Sequence, residues 1–287
     1  MVKLMIDNKQ ERKISKVDLL IHLIVKVKRD DIFALASQLA YYLVLAFFPF
    51  LIFLITLMGF IKPNAIDILE GLKAIMPTSV FELTESTIRE ILGSQNTGLL
   101  GISILLSIWT ASSGFRAVIK GINKAYNIKE KRSYIRRSII SYISTIVLAL
   151  TVVATLILLV FGSAIGRYLT EILPFHDVIL VTWNILRYVV IIFVLIFVFA
   201  AIYKFTPSKR LKWRQVLPGA IVSTFGWIII SLAFSFYINN FNNYSRFYGS
   251  LAAVFILMIW LFLTSIIFMF GVEINSVLVI KKKENKF

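Results

Sequence analysis

The chain of 287 residues contains no cysteine, only two histidines and only 15 aspartates and glutamates. The absence of cysteine excludes disulfide bonds, thiolate catalysis and cysteine-ligated metals. No HExxH motif, glycine-rich phosphate loop or GxSxG motif is present, and Glu130 is the one carboxylate in the basic segments 120–137 and 204–214. A two-metal nuclease site would lack ligands there. The sequence therefore predicts no catalytic residues, no metal and no cofactor.

Apolar residues, in contrast, are abundant. They form 59% of the chain, and the mean hydropathy is +0.84, which a soluble protein of this length does not reach. A helix needs roughly 20 apolar residues to cross a bilayer core about 30 Å thick. The sequence predicts an all-α, polytopic bundle of six membrane-spanning helices within residues 32–280. The spans are expected at about 33–61, 98–119, 139–162, 178–205, 216–238 and 249–280.

The basic residues are distributed asymmetrically around these spans. Of the 31 lysines and arginines, 24 lie in the N-terminal arm, in 120–137, in 204–214 and in the tail. Basic residues that flank membrane spans are retained on the cytoplasmic side, so both termini are predicted to be cytoplasmic in a bacterial inner membrane. His22 and His176 then lie on opposite sides and cannot share a metal. This segregation accounts for most of the net charge of +16, and it favours anionic lipids over nucleic acid as the partner.

Three segments lie outside the spans. In the N-terminal arm, 1–31, the apolar stretch 17–27 is too short to cross; it predicts a helix on the membrane surface or, equally, one packed on the cytoplasmic ends of the spans. The acidic segment 62–97 has helical periodicity on both sides of Pro77, which predicts an amphipathic helical hairpin at the outer face. Residues 281–287 form a basic tail.

Ionisable residues inside spans indicate function or packing, because a charge in hydrocarbon is costly. Glu273 and Arg116 are predicted at similar depth near the cytoplasmic side, and the simplest interpretation pairs them, within reach of Asn123 or Asn275. Either a packing ion pair or a transport role is compatible with that pair. The other polar or aromatic candidates within the spans are Gln38, Tyr41, Trp109 and Ser112. Pro49 predicts a kink or break, and Pro218 with Gly219 predicts a turn leading into the fifth span.

Taken in order along the chain, several of these motifs resemble the YihY/virulence factor BrkB family, formerly labelled ribonuclease BN. The first half contributes Ala40-Tyr41-Tyr42, Phe48-Pro49, Trp109-x-x-Ser112, Arg116 and Asn123. The second half contributes Tyr203-x-x-x-Pro207, Trp213, Pro218-Gly219-Ala220, Tyr237, Tyr244, Tyr248-Gly249-Ser250, Trp260 and Gly271-x-Glu273-x-Asn275. The resemblance implies a six-span inner-membrane protein. Members have been linked to serum resistance, to export of envelope lipid or lipopolysaccharide and, under the older label, to tRNA processing.

The leading hypothesis is a transporter-like protein that handles lipids or another amphiphilic or small-molecule substrate, with a pathway among spans one, two, five and six. The alternatives are an envelope scaffold that binds partners through its acidic outer hairpin and a membrane-embedded enzyme. A homo-oligomer is also compatible with the small residues Ala34, Ala36 and Ala40 in the first span.

Overall fold

A computed structural model describes residues 16–61, 81, 97–172, 176–240 and 251–284. Within these ranges the chain forms long helices and short connections, and six of the helices are long and apolar enough to cross a membrane. The all-α bundle with six apolar spans is thereby confirmed. The helices are α1 (Lys16–Arg29), α2 (Ile32–Ile61), α3 (Thr97–Ala125), α4 (Tyr134–Ile172), α5 (His176–Phe205), α6 (Trp213–Asn240) and α7 (Leu251–Glu284).

Several helices extend beyond the apolar runs that predicted them. The second span was expected to end at residue 119, but α3 continues to Ala125 and carries Lys120 and Lys124. Hydrophobicity changes where the lipid ends, whereas backbone hydrogen bonding continues until a residue breaks the helix. Asn127 provides that break for α3, and Asp31 separates α1 from α2; both have a positive φ of 52°.

α2 runs through Pro49 as one continuous helix, so of the predicted kink or break only the kink is compatible with the structure. A second prediction about proline is wrong. Pro218 and Gly219 do not form a turn leading into the fifth span, because α6 begins five residues earlier, at Trp213. Pro218 is the sixth residue of α6 and has no amide hydrogen, so the helix gives up one intrahelical hydrogen bond there.

The six long helices pack in sequence order, and α7 closes the arrangement against α2. We call the end at which α2, α4 and α6 begin the basic end. The larger hydrophobic core, which includes Leu35, Ile122 and Val272, lies in the half nearest this end. A smaller core around Phe234 and Leu257 joins α6 and α7 in the other half and also contacts α2. α7 contacts α1, α2, α3 and α6, so it is the central helix of the bundle.

Some predicted features lie outside the described residues. They are most of the outer hairpin (62–80 and 82–96), the aromatic and glycine motif Tyr244, Tyr248, Gly249 and Ser250, residues 1–15 of the arm and the last three residues of the tail. Of the small residues in α2, Ala36 and Ala40 are buried inside the bundle and are not exposed to another chain, whereas Ala34 is exposed.

Candidate functional site

Glu273 of α7 is bound by a lysine of the N-terminal helix. The Lys26 ammonium donates to Glu273 Oε2 at 2.7 Å and to Asp30 Oδ2 at 2.9 Å, and it also donates to the Ala125 carbonyl at the end of α3. The Lys26 and Glu273 side chains are only 7% and 2% exposed. Ser276 donates to the same carbonyl. One buried ammonium thus joins α1, α3 and α7 at the basic end.

Asp30 gains its stability as a carboxylate from two cations. Burial alone would raise the pKa of Asp30, but hydrogen bonds and charge from Lys26 and Arg29 outweigh burial and hold the pKa below its ordinary value. Asp30 therefore stays ionised at neutral pH and shares Lys26 with Glu273. This arrangement fixes α1 against the bundle through its Leu23 and Lys26 face, while Ile21, Ile24 and Val25 on the other face remain exposed.

The predicted pairing of Glu273 with Arg116 is wrong. Glu273 has Lys26 as its ammonium partner, and the Arg116 guanidinium donates to Ser113 in its own helix. The predicted similar depth is wrong as well, because Lys26 and Ser276 place Glu273 beside Ala125 at the end of α3, whereas Arg116 lies nine residues earlier in that helix. The sequence argument omitted Lys26 because α1 is too short to cross the membrane. The sequence did contain a signal for this contact. Lys26 stands between Val25 and Val27 in an amphipathic helix, and a lysine flanked by apolar residues can be buried against the bundle.

Arg116 lies within the apolar stretch of α3, Gly101–Ala125, and is partly exposed. Ser113, which accepts its hydrogen bond, is one turn closer to the start of α3 and therefore farther from the basic end. In the part of the chain that the structure describes, the ion pairs do not include Arg116. The guanidinium accordingly extends towards the start of α3, away from the basic end, and forms no ion pair with a carboxylate of the described residues.

The other polar candidates of α2 and α3 divide into exposed and buried groups. Gln38 is exposed, and Tyr41 and Trp109 are 60% and 61% exposed. Ser112 is fully buried and donates to the Trp109 carbonyl at 2.8 Å, so it serves the helix rather than a ligand. The α2 and α3 backbones approach at Gly114, where an added Cβ would lie 3.3 Å from the Cβ of Tyr42. Gln38 and Tyr41 on α2 therefore lie at about the same height along the bundle axis as Arg116 on α3.

Asn123 belongs to a different network, which connects two loops at the basic end. Its Nδ2 donates to Glu130 Oε2 at 2.8 Å, and its Oδ1 accepts from the Ser208 amide at 2.9 Å. Arg132 binds both Glu130 oxygens, at 2.9 and 2.8 Å, and donates to the Thr206 carbonyl at 2.9 Å. The Ser208 hydroxyl also donates to Glu130. The network ties the α3–α4 connection to the α5–α6 connection, which contains the buried Pro207.

The Glu130 network predicts an acid-sensitive contribution to stability. Hydrogen bonds from Arg132, opposed by burial and aided by Ser208, hold the pKa of Glu130 well below its ordinary value. A lowered folded-state pKa contributes stability above the unfolded pKa of about 4.3, and that contribution is lost as the pH falls towards the folded pKa. We expect Glu130→Gln to melt at a lower temperature than wild type at pH 7, with the difference shrinking below about pH 4.

Thermal unfolding of both proteins in detergent, followed by circular dichroism between neutral and acidic pH, measures this. Ser208→Ala is the matched control, because it removes one hydrogen bond and leaves the Arg132–Glu130 pair in place. A melting-temperature difference that stays constant from pH 7 to about pH 3 would contradict the assignment.

Asn275 binds the backbone of α6 near Pro218. Its Oδ1 accepts from the Gly219 amide at 2.7 Å, and its Nδ2 donates to the Val216 carbonyl at 3.0 Å. One turn away, Tyr203 of α5 donates to the Phe268 carbonyl at 2.7 Å and shares a 2.8 Å hydrogen bond with Ser223. These bonds join α5, α6 and α7 in the membrane, where unsatisfied polar groups are costly. Asn275 therefore has a packing role.

Comparisons with known proteins agree with this architecture. The sequence profile described as virulence factor BrkB matches residues 23–286. The putative ribonuclease-like protein YfkH of Bacillus subtilis is 40% identical over 248 residues, which are 86% of this chain and 90% of that protein. A UPF0761 membrane protein of Alteromonas mediterranea is 27% identical, covering 87% of this chain and 84% of that protein. One from Pseudoalteromonas atlantica is 25% identical, covering 90% and 86%.

No solved structure matches the chain. The profile covers nearly all of the described helices, from α1 to the end of α7. The six apolar helices and the membrane-protein relatives are those of a multi-pass protein of the bacterial inner membrane. The chain belongs to the virulence factor BrkB family.

Proposed function

We propose that this protein moves amphiphilic molecules with an anionic headgroup between the membrane leaflets, and that Arg116 binds the headgroup within the membrane. The observation that carries the proposal is the direction of the Arg116 side chain. Arg116 lies nine residues before the end of α3, about 13.5 Å from it at 1.5 Å per residue. An arginine that only avoids lipid would extend towards the nearer interface. Arg116 instead extends towards Ser113, away from the basic end.

The missing carboxylate supports an anionic ligand. A guanidinium presents a planar set of donors that matches phosphate and carboxylate groups. Lys26 fulfils the need of Glu273 for a cation, so Glu273 does not require Arg116. Arg116 remains available to a ligand.

The surface around Arg116 supports an amphiphile rather than a small ion. The exposed ring of Tyr41 lies at the level of Arg116, and the exposed ring of Trp109 lies two turns away on α3, so both offer apolar contact with polar edges on this surface. On α3, Lys120 and Lys124 follow Arg116 at intervals of four residues, so the three cations lie along one side of the helix towards the basic end. A headgroup that enters from the basic end meets positive charge at each turn.

The test is lipid translocation in proteoliposomes of phosphatidylglycerol and phosphatidylcholine that contain a trace of acyl-labelled fluorescent phosphatidylglycerol. Dithionite added outside bleaches only the outer leaflet unless the protein exchanges lipids. With wild type, we expect the inner-leaflet label to be bleached as well, because the protein carries it to the outer leaflet. Arg116→Gln should slow that phase about tenfold, because a hydrogen bond to a charged group contributes about 1.5–3 kcal/mol.

Arg187→Gln is the matched control. Arg187 is another arginine inside an apolar stretch, 5.0 Å from the Tyr188 ring in α5, and lies outside the α2–α3 surface. It should translocate lipid at the wild-type rate, whereas Arg116→Lys should retain part of the activity. If the inner-leaflet phosphatidylglycerol label stays unbleached in proteoliposomes of wild type, the proposal is refuted.

The proposal contains no chemical step. The name of YfkH includes "ribonuclease-like", and cleavage of RNA by the purified protein is the direct test of that alternative. Metal-dependent cleavage needs clustered acidic or imidazole ligands. In the described ranges, no group of three or more such side chains is arranged to hold a metal ion.

A further inference from the structure

A depression of about 440 Å³ opens at the basic end, between the end of α1 and the end of α3. Its polar walls are Arg29 and Asp30 from the α1–α2 junction, Asn123 and Lys124 from α3, and Asn127 and Lys129 from the connection that follows. The depression is separate from the Glu130 network and from the Lys26 cluster, which consists of Lys26, Asp30 and Glu273. Only Asn123 and Asp30 belong to both the depression and those networks.

The fold brings the three cations of the depression together. Asn127 ends α3 with a left-handed residue, its amide donates to the Lys124 carbonyl at 3.0 Å, and the Ile128 amide donates to the Asn123 carbonyl at 2.8 Å. This is the hydrogen-bond pattern of a helix-terminating turn that reverses the chain. Lys129 consequently lies beside the depression with Lys124.

Two acidic residues form ion pairs with two of these cations and leave Lys129 outside the ion pairs of the described residues. Asp31 accepts from Lys124 at 2.8 Å, and Asp30 accepts from Arg29 at 3.1 Å. Asp30 also accepts from the buried Lys26, which Glu273 binds as well. With Lys26, Glu273 and Asp31 counted beside the lining residues, four positive and three negative charges meet here, and the excess is one positive charge. Such a site attracts an anion with several acceptor oxygens, and phosphate is the group that lysine and arginine bind in this way.

The position of the depression identifies the source of the phosphate. α2 begins at Ile32, where its apolar span also starts, so the depression lies at the level of the span boundary. The exposed Ile21, Ile24 and Val25 of α1, each more than half exposed, lie on the helix that ends at Arg29. An amphipathic helix with an exposed apolar face lies at the boundary between headgroups and acyl chains.

We infer that this depression binds the phosphate of an anionic glycerophospholipid from the leaflet at the basic end. The site holds the lipid at equilibrium, and its existence does not require translocation by Arg116. Lys124 and Lys129 contact the phosphate, and Arg29 completes the cationic wall. Acyl chains lie along the apolar side of α1.

Native mass spectrometry of the full-length protein in detergent, titrated with phosphatidylglycerol or phosphatidylcholine, tests the inference. We expect wild type to bind phosphatidylglycerol at least about tenfold more tightly than phosphatidylcholine. The double variant Lys124→Gln/Lys129→Gln should lose about tenfold in phosphatidylglycerol affinity and keep its phosphatidylcholine affinity. Lys124→Arg/Lys129→Arg, which retains the charges, should bind like wild type and shows that the site still folds.

The matched control is Lys209→Gln/Lys212→Gln, which removes two exposed charges from the same end of the bundle, outside the depression. It should retain the wild-type preference. Equal loss in both Gln double variants would overturn the inference, because the effect would then be general surface charge. Full competition by millimolar inorganic phosphate would also overturn it, since the ligand would then be free phosphate. The Arg116→Gln variant distinguishes this site from the proposed function. If it binds phosphatidylglycerol normally but fails to translocate it, the lipid site stands independently of the translocation pathway.

Discussion

Lys26→Ala is expected to lower the free energy of unfolding by about 3–5 kcal/mol, the range measured when one partner of a buried ion pair is removed. Lys26 is the ammonium that both Asp30 and Glu273 bind, and all three side chains are less than 10% exposed. Its removal leaves two buried carboxylates facing one another and leaves the Ala125 carbonyl with Ser276 as its remaining side-chain donor. Because α1 depends on this contact, we also expect α1 to detach from α7.

Chemical unfolding in mixed micelles measures the loss, and hydrogen exchange of residues 16–29 reports the detachment of α1. Lys28→Ala is the matched control, since Lys28 is an exposed lysine in the same helix and surface substitutions change stability by about 0.5 kcal/mol or less. Glu273→Gln should cost less than Lys26→Ala, because Lys26 and Asp30 can still pair. If Lys26→Ala unfolds like Lys28→Ala, the cluster does not hold α1 in place.

Gly271→Ala is expected to cost about 3 kcal/mol, at the upper end of the range for overpacking a tight contact. A Cβ at Gly271 would lie 2.0 Å from Ser223 Oγ, 2.7 Å from the Gly219 carbonyl oxygen and 2.9 Å from the Tyr203 hydroxyl. Gly219 is equally tight, since a Cβ there would lie 2.1 Å from the Gly271 carbonyl oxygen. The α6 and α7 backbones therefore touch at two glycines, as small residues allow in membrane helices.

Gly101→Ala provides the control within the membrane, because a Cβ at Gly101 meets no atom within 4 Å. It should leave the melting temperature unchanged or raise it slightly, since alanine favours a helix over glycine by about 1 kcal/mol. Thermal unfolding of both variants, with the α6–α7 contact followed by a cross-link between introduced cysteines, checks the difference. Equal melting temperatures would show that α6 and α7 are farther apart than the structure has them.

The Lys26–Glu273 and Asn275–Gly219 contacts show which part of the site could be predicted from the sequence. Glu273 and Asn275 were identified as polar residues inside a span, and Gly219 as part of a motif, because each departs from the apolar pattern around it. Their partners were not identified. Lys26 is 247 residues from Glu273, and Asn275 is 56 residues from Gly219. Nothing in a hydropathy pattern says which residues at one depth are neighbours.

The sequence by itself determined the number of apolar spans and which polar residues interrupt them, because a bilayer core demands a long apolar stretch for each crossing. Its ordered motifs also indicated the family. Only the tertiary structure decided the lateral neighbours: Lys26 rather than Arg116 for Glu273, the α6 backbone for Asn275, and the loops of the basic end for Asn123. Helix packing within the membrane depends on close contact and hydrogen bonds, so those pairings follow from the three-dimensional fit of the helices. That fit leaves Arg116, one of the few charged residues inside the spans, without a carboxylate partner among the described residues.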